Sequence, residues 1–286
     1  MRRPSRTVSF VCAAALGVVA CGGSTEMAEV VASATVTSSG SGGSGSGGAG
    51  PCLSNGDGSI ARSEVVFAAG LHATFRIADD VTVDLAGKAQ PDGSRTWDVA
   101  GAYANDADVT VVTKEPAGQW FAADFPTATY TAPLAKHPTL GVLVGIFEAK
   151  ADSLALLGVV SPAEAVNATK VTYAPPATIL AFPLADDASW KTSATVTGKA
   201  AGIAAVYAET YDSTVDAHGS LKTPYGTFDV LRVKTTMTRT VGVVPTVTRS
   251  FAFVAPCFGT VASVTSQPNE PQEEFSNAAQ LRRLAP

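Results

Sequence analysis

The residues best placed to do chemistry lie in the run Cys52-Leu-Ser-Asn-Gly-Asp-Gly-Ser-Ile-Ala-Arg-Ser-Glu64. Asn55, Asp57, the backbone carbonyl of Ser59 and the carboxylate of Glu64 are hard oxygen donors of the kind a calcium ion takes. Other chemistries find less. His72, His137 and His218 are far apart, and none has a Cys or His at metal-ligand spacing, which argues against zinc. The region after residue 52 holds no Gly-x-Ser-x-Gly elbow and no phosphate-binding glycine motif. His218 beside Asp216 reads as turn polarity. Carboxylate pairs at Asp79-Asp80 and Asp186-Asp187 are of the type glycosidases use, but adjacent acids on a strand point to opposite faces and on a turn are simply solvated. Trp97, Trp120, Trp190 and the pair Phe121/Phe125 could line a groove; packing in the core is the plainer use. Catalysis is not expected.

The run 52–64 resembles the calcium loop of EF-hand and dockerin repeats. With Gly58 at the invariant glycine, Asn55 and Asp57 fall at the third and fifth positions. Ser59, Ile60 and Glu64 then take the carbonyl, apolar and bidentate places. Leu53 stands where the family has its first Asp, so one oxygen ligand is missing and the resemblance implies calcium binding no tighter than about millimolar. The same residues also read as a plain Asn-Gly-Asp-Gly turn leading into a strand. Both readings stand at this level.

What must position this loop begins further upstream. Residues 1–20 read as an export signal, with Arg2, Arg3 and Arg6 followed by an apolar run too short to span a bilayer. Leu16-Gly17-Val18-Val19-Ala20-Cys21 resembles the lipobox of bacterial lipoproteins, which implies cleavage before Cys21 and acylation of its new N-terminus. Gly22, in place of an Asp, points to an outer-membrane or surface destination. Residues 21–51 form a tether ending in the Gly/Ser run 38–50, a composition that cannot bury enough surface to fold. About thirty such residues place a domain roughly 30 Å from its anchor by coil scaling. With Cys12 lost in the signal and Cys21 acylated, Cys52 and Cys257 remain, and in an oxidising compartment they are expected to pair. The formal charge of −5 becomes more negative once the three arginines leave, which argues against nucleic acid as a partner.

Residues 65–286 read as one antiparallel β domain. Short β-prone runs at 65–69, 72–78, 81–85, 95–100 and 109–113 are separated by Gly70, Asp79-Asp80 and Pro91-Asp92-Gly93. More apolar strands follow at 139–149 and 154–160. Ile203, Ala205, Tyr207, Tyr211 and Val215 share one face of a long strand that a turn at Ala217-His218-Gly219 should end. Pro224 and Gly226 fit a type I turn. Beyond it Leu231, Val233 and Met237 alternate with Arg232, Lys234, Thr236 and Thr238, a dry face and a wet one. Phe228 and Val230 are out of phase with Leu231, which suggests a bulge bending this strand. Strands at 246–254 and 260–265 complete a meander, and 276–284 reads as a short helix or an edge strand.

Three phrases, Pro224-Tyr-Gly-Thr-Phe-Asp-Val-Leu-Arg-Val233, Leu180-Ala-Phe-Pro-Leu184 leading to Trp190, and Thr96-Trp-Asp-Val99, resemble those of uncharacterised exported bacterial β-proteins. Some of these are similar to the unclosed barrel of the lipoprotein carriers LolA and LolB. The expected fold is therefore all-β, a large curved antiparallel sheet closing toward a half-open barrel or a sandwich. The expected role is that of a non-catalytic envelope or surface lipoprotein, partnered by a membrane through its lipid and by an unknown protein. A carrier of a lipid or other apolar ligand is the alternative, and a glycan hydrolase ranks third.

Overall fold

The computed structural model describes Cys52, residues 54–137 and residues 141–286. The export signal, Cys21, the tether and Leu53 lie outside the described residues. Fourteen strands are found among them: β1 (His72–Thr82), β2 (Lys88–Ala89), β3 (Arg95–Asp98), β4 (Ala107–Val112), β5 (Tyr130–His137), β6 (Gly141–Ala149), β7 (Ser153–Val160), β8 (Lys170–Ala181), β9 (Ser189–Ala200), β10 (Ile203–Lys222), β11 (Thr227–Val241), β12 (Val244–Ala255), β13 (Gly259–Ser266) and β14 (Asn277–Ala285). Twelve form one path in the order β4-β1-β14-β13-β12-β11-β10-β9-β8-β7-β6-β5. Its two ends meet where Lys114 and Thr131 exchange both backbone hydrogen bonds at 2.9 Å, so the sheet is a nearly closed barrel. Closure of this kind leaves little free strand edge to pair with another chain. The all-β fold expected from the sequence is what the structure shows.

The region 276–284 is neither helix nor edge: β14 lies between β13 and β1. Its pattern misled because Arg282 and Arg283 are buried beside Leu281 and Leu284, which erases the alternation of a half-wet strand. The bulge is also elsewhere than expected. β11 runs without a shift, and the extra residue is Asp216 in β10, where the register passes from Val215/Val233 to Ala217/Arg232. Phe228 and Val230 look out of phase because they enter one core while Leu231 and Val233 enter another on the opposite face. Arg232 accordingly lies on no wet face; it is 3% exposed.

Ala217-His218-Gly219 does not end β10, which continues to Lys222 and outruns β9. The uncovered edge takes β3, in parallel, at Gly219–Lys222. Only glycine fits at 219, because a Cβ there would collide with the Arg95 carbonyl oxygen. Asp79-Asp80 likewise does not break β1, which runs through both, Asp79 accepting from Gln280 at 2.9 Å and Asp80 from Gln267 at 2.7 Å. Of 81–85, only Val81 and Thr82 are strand, the last two residues of β1; beyond them Val83 and Leu85 leave the ladder to fill the second core.

The run 65–69 is not a strand either. Its alternation buries Val65 and Phe67, together with Ile60, in the first core at one end of the barrel. There the chain crosses three hairpin turns in succession. Ile60 and Leu184 exchange backbone hydrogen bonds at 2.8 and 2.9 Å between β8 and β9. Arg62 donates to the Lys150 carbonyl between β6 and β7 at 3.0 Å, and Cys257 between β12 and β13 donates to the Glu64 carbonyl at 2.7 Å. Residues 54–69 thus plug this end. A third cluster, Phe121, Phe125, Ile146, Leu157 and Val160, packs the 120–125 segment against other side chains of β6 and β7.

Candidate functional site

The plug holds every residue singled out for calcium that the structure describes. Asp57 Oδ1 accepts from the Ser59 N–H at 2.8 Å and the Ser59 hydroxyl at 2.7 Å, while Asn55 Nδ2 donates to Asp57 Oδ2 at 2.8 Å. These donors, the Ser59 hydroxyl first, hold the Asp57 carboxyl below the usual carboxylate range. Glu64 is 5% exposed, and its two oxygens accept from the backbone N–H groups of Asn55 at 2.9 Å and Ala61 at 2.8 Å. Glu64 therefore staples both ends of the loop to one carboxylate. A calcium ion using it as a bidentate ligand would compete with those two amides, and the geometry adds nothing to the case the sequence pattern made for calcium. No group of three or more His, Cys, Asp or Glu side chains able to hold a metal occurs among the described residues.

Cys52 and Cys257 are joined by a disulfide, with Cα atoms 5.4 Å apart across a sequence separation of 205. It fixes the outer end of the plug to the β12–β13 turn.

The remaining candidates stay apart. His218 Nδ1 lies 2.8 Å from Asp186, not beside Asp216, and the pair is exposed. Each tryptophan is spent on structure: Trp97 donates to the Leu85 carbonyl at 2.8 Å, Trp120 to Ser161 at 3.2 Å and Trp190 to Thr178 at 3.3 Å.

No family model matches the chain, and no curated protein matches it. Among solved structures, one from Bacteroides fragilis, described as an exported protein with a YmcC-like fold, is 11% identical, with 76% of this chain and 96% of that one covered at a TM-score of 0.28. A similarity of that size carries no argument. Three arginine-centred clusters escaped the sequence reading, two around the buried Arg232 and Arg283 and one around the half-buried Arg239. Arg232 forms a fork with Asp216, both bonds at 2.9 Å, and donates to Glu274 at 2.6 Å and to the Leu85 carbonyl at 2.6 Å. Its guanidinium lies 4.5 Å from the Phe251 ring centroid. Burial works against its charge, but Asp216 and Glu274 outweigh burial and raise its pKa. Arg283 donates to the carbonyls of Val99 and Gly101 and to Asp106, over the ring of Tyr103.

Arg239 donates at 2.7 Å to Glu209, whose side chain is wholly buried, while Tyr211 donates to the other Glu209 oxygen at 2.6 Å. Tyr173 is buried in the same core as Tyr211, and Arg239 covers the ring of Tyr207 at 4.9 Å. The sequence carried a signal for this cluster. Glu209 falls in phase with Tyr207 and Tyr211, and Arg239 with Met237, so both are charges on an apolar stripe.

Burial raises the Tyr207 pKa to about 12 and also raises those of Tyr130, Tyr173 and Tyr211. Because the folded values lie above the unfolded value of 10.0, this stability is complete below pH 10 and is lost as pH rises through the folded values. Tyrosinate absorbance should therefore stay low for these four as pH first passes 10, then rise together with loss of β-sheet circular dichroism. Smooth ionisation near pH 10 with the fold intact would contradict their burial.

Proposed function

We propose that the protein is a non-catalytic cell-envelope lipoprotein, held to the outer membrane or cell surface through an acylated Cys21 and the tether 21–51, that acts by binding a partner on its outer surface. The observation that carries this reading is the filling of the barrel. Leu231 and Val233 bury one face of β11 and Phe228 and Val230 the other, so the first half of this strand is occupied on both sides by the protein's own side chains, and the inward face of β10 is filled by Tyr211 and Val215. Side chains with acid–base character that lie inside are engaged in pairs, as Glu209 with Arg239 and Asp216 with Arg232. The fastening of Cys52 to the body fits a domain that hangs from its N-terminal side.

Replacing Cys21 by Ser should leave the β domain folded while moving the protein from the detergent phase to the aqueous phase in Triton X-114 partitioning. Unchanged partitioning of a folded Ser variant would sink the lipoprotein reading.

One observation favours a second reading, a carrier of an apolar ligand. The Tyr130 hydroxyl is buried with no hydrogen-bond partner among the described residues, between Phe67 of the plug and Phe147. A buried orphan hydroxyl costs about 1–3 kcal/mol. A ligand supplying an acceptor there, with the plug displaced, would recover that cost.

A further inference from the structure

Closure of the barrel stops at one pair of residues. Thr113 turns its N–H and carbonyl to Leu71 and Gly70 on the side of β1, while Lys114 turns both of its groups to Thr131 on the side of β5. Alternate residues of a strand direct these groups to opposite edges, so Asp108, Thr110 and Val112 present theirs on the side of Lys114. No backbone partner for that side of β4 is found among the described residues. The reason lies in β5. The residue due opposite Val112 is Pro133, which has no N–H to give the Val112 carbonyl, and β5 then slips in register against β6 between Pro133 and Lys136. The N–H and carbonyl groups of Asp108, Thr110 and Val112 therefore form a free strand edge, flanked by the exposed side chains of Val109 and Val112.

We propose that residues 30–37 of this chain, which lie outside the described ones, pair with that edge as an added strand. Val30, Ala32, Ala34 and Val36 alternate with Val31, Ser33, Thr35 and Thr37, the period of a strand with one dry face. The run lacks Gly and Pro and has the length of a strand, unlike the Gly/Ser run 38–50 that follows it. The distance suits it. Cys52 Sγ lies 3.4 Å from the Glu64 carbonyl oxygen, and the chain onward from Glu64 to Gly70 reaches at most about 21 Å. Gly70 donates to the Thr113 carbonyl at 3.0 Å, at the closed end of the seam. Residues 38–51 have a coil length of about 20 Å, so they hold the segment near the edge at a millimolar effective concentration. A second copy of the chain, at micromolar concentration, is outcompeted for the same edge. With 30–37 paired, residues 22–29 alone separate Cys21 from the barrel, a coil of about 15 Å. The pairing itself does not require Cys21 to be acylated.

Hydrogen–deuterium exchange of the exported full chain carrying Cys21→Ser, so that no lipid contributes, tests the proposal. The amides of Asp108, Thr110 and Val112 are expected to exchange at least about tenfold slower than in a variant that also carries Ala32→Pro and Thr35→Pro, and amides within 30–37 should be protected with them. The two prolines fall on opposite faces of the run, so one donor to β4 is lost whichever way the added strand lies, and neither touches the barrel. Ser44→Pro, in the Gly/Ser run, should leave the rates unchanged. Edge amides that exchange at the same rate in parent and proline variant, or a segment 30–37 that exchanges like an unstructured peptide, would overturn the proposal. So would protection of β4 that survives the prolines and grows with protein concentration, which would assign the edge to a second copy.

Discussion

Arg232→Ala is expected to lower the free energy of unfolding by about 3–5 kcal/mol, the cost of breaking a buried ion pair from one side. Asp216, 15% exposed, would be left without the guanidinium that now pairs it, while Glu274, 44% exposed, could turn to water, and the rings of Trp97 and Phe251 would lose the cation that lies over them. The Leu85 carbonyl would lose its hydrogen bond to Arg232, and β10 would lose the fork that fixes the bulge at Asp216. Arg232→Lys should recover only part of the loss, because an ammonium cannot form the two parallel bonds to Asp216. Urea denaturation followed by circular dichroism measures both variants. A loss below about 1 kcal/mol for the alanine variant would mean that the cluster contributes little net stability.

Removing the disulfide should cost as much by a different route. A cross-link across a sequence separation of 205 restricts the unfolded chain by about 5 kcal/mol in the entropy model. Its effect on the folded state is local. Ile60, Val65 and Phe67 remain buried, and Glu64 still accepts from Asn55 and Ala61. The Cys52→Ser, Cys257→Ser variant should therefore keep its β-sheet spectrum at 25 °C while its urea midpoint falls sharply. An unchanged midpoint would show that the unfolded chain is already held together around these residues by other means.

Much of the fold could be read from short-range chemistry, and what could not has physical reasons. The turn at Thr223–Gly226, where the Thr223 N–H donates to the Gly226 carbonyl at 2.8 Å, and the hairpin turns after β11 and β12 follow from Pro and Gly placement. Strands without a clean period were missed. β5 carries Pro133 and a register shift, β8 carries Pro175 and Pro176 in its middle, and β9 is mostly Thr, Ser and Lys with only Ala194 and Val196 buried. β14 was obscured by Arg282 and Arg283.

For the candidate site, local spacing brought Asn55, Asp57, Ser59 and Glu64 together, but it could not show that the Glu64 oxygens turn to backbone amides. The arginine clusters join residues from strands far apart in sequence. What local pattern does hold is the presence of Glu209 and Arg239 on apolar stripes; their pairing follows from the β10–β11 register. The closure of the barrel through Lys114 and Thr131 likewise depends on topology that no local pattern encodes.

Native mass spectrometry of the protein released from its own membrane tests the central claim most directly, because one spectrum reports both the anchor and the contents of the barrel. The account predicts a polypeptide beginning at Cys21, carrying covalent acyl chains and, after mild activation, no further small molecule. A chain without acyl groups, or one that retains a stoichiometric non-covalent lipid, would contradict it.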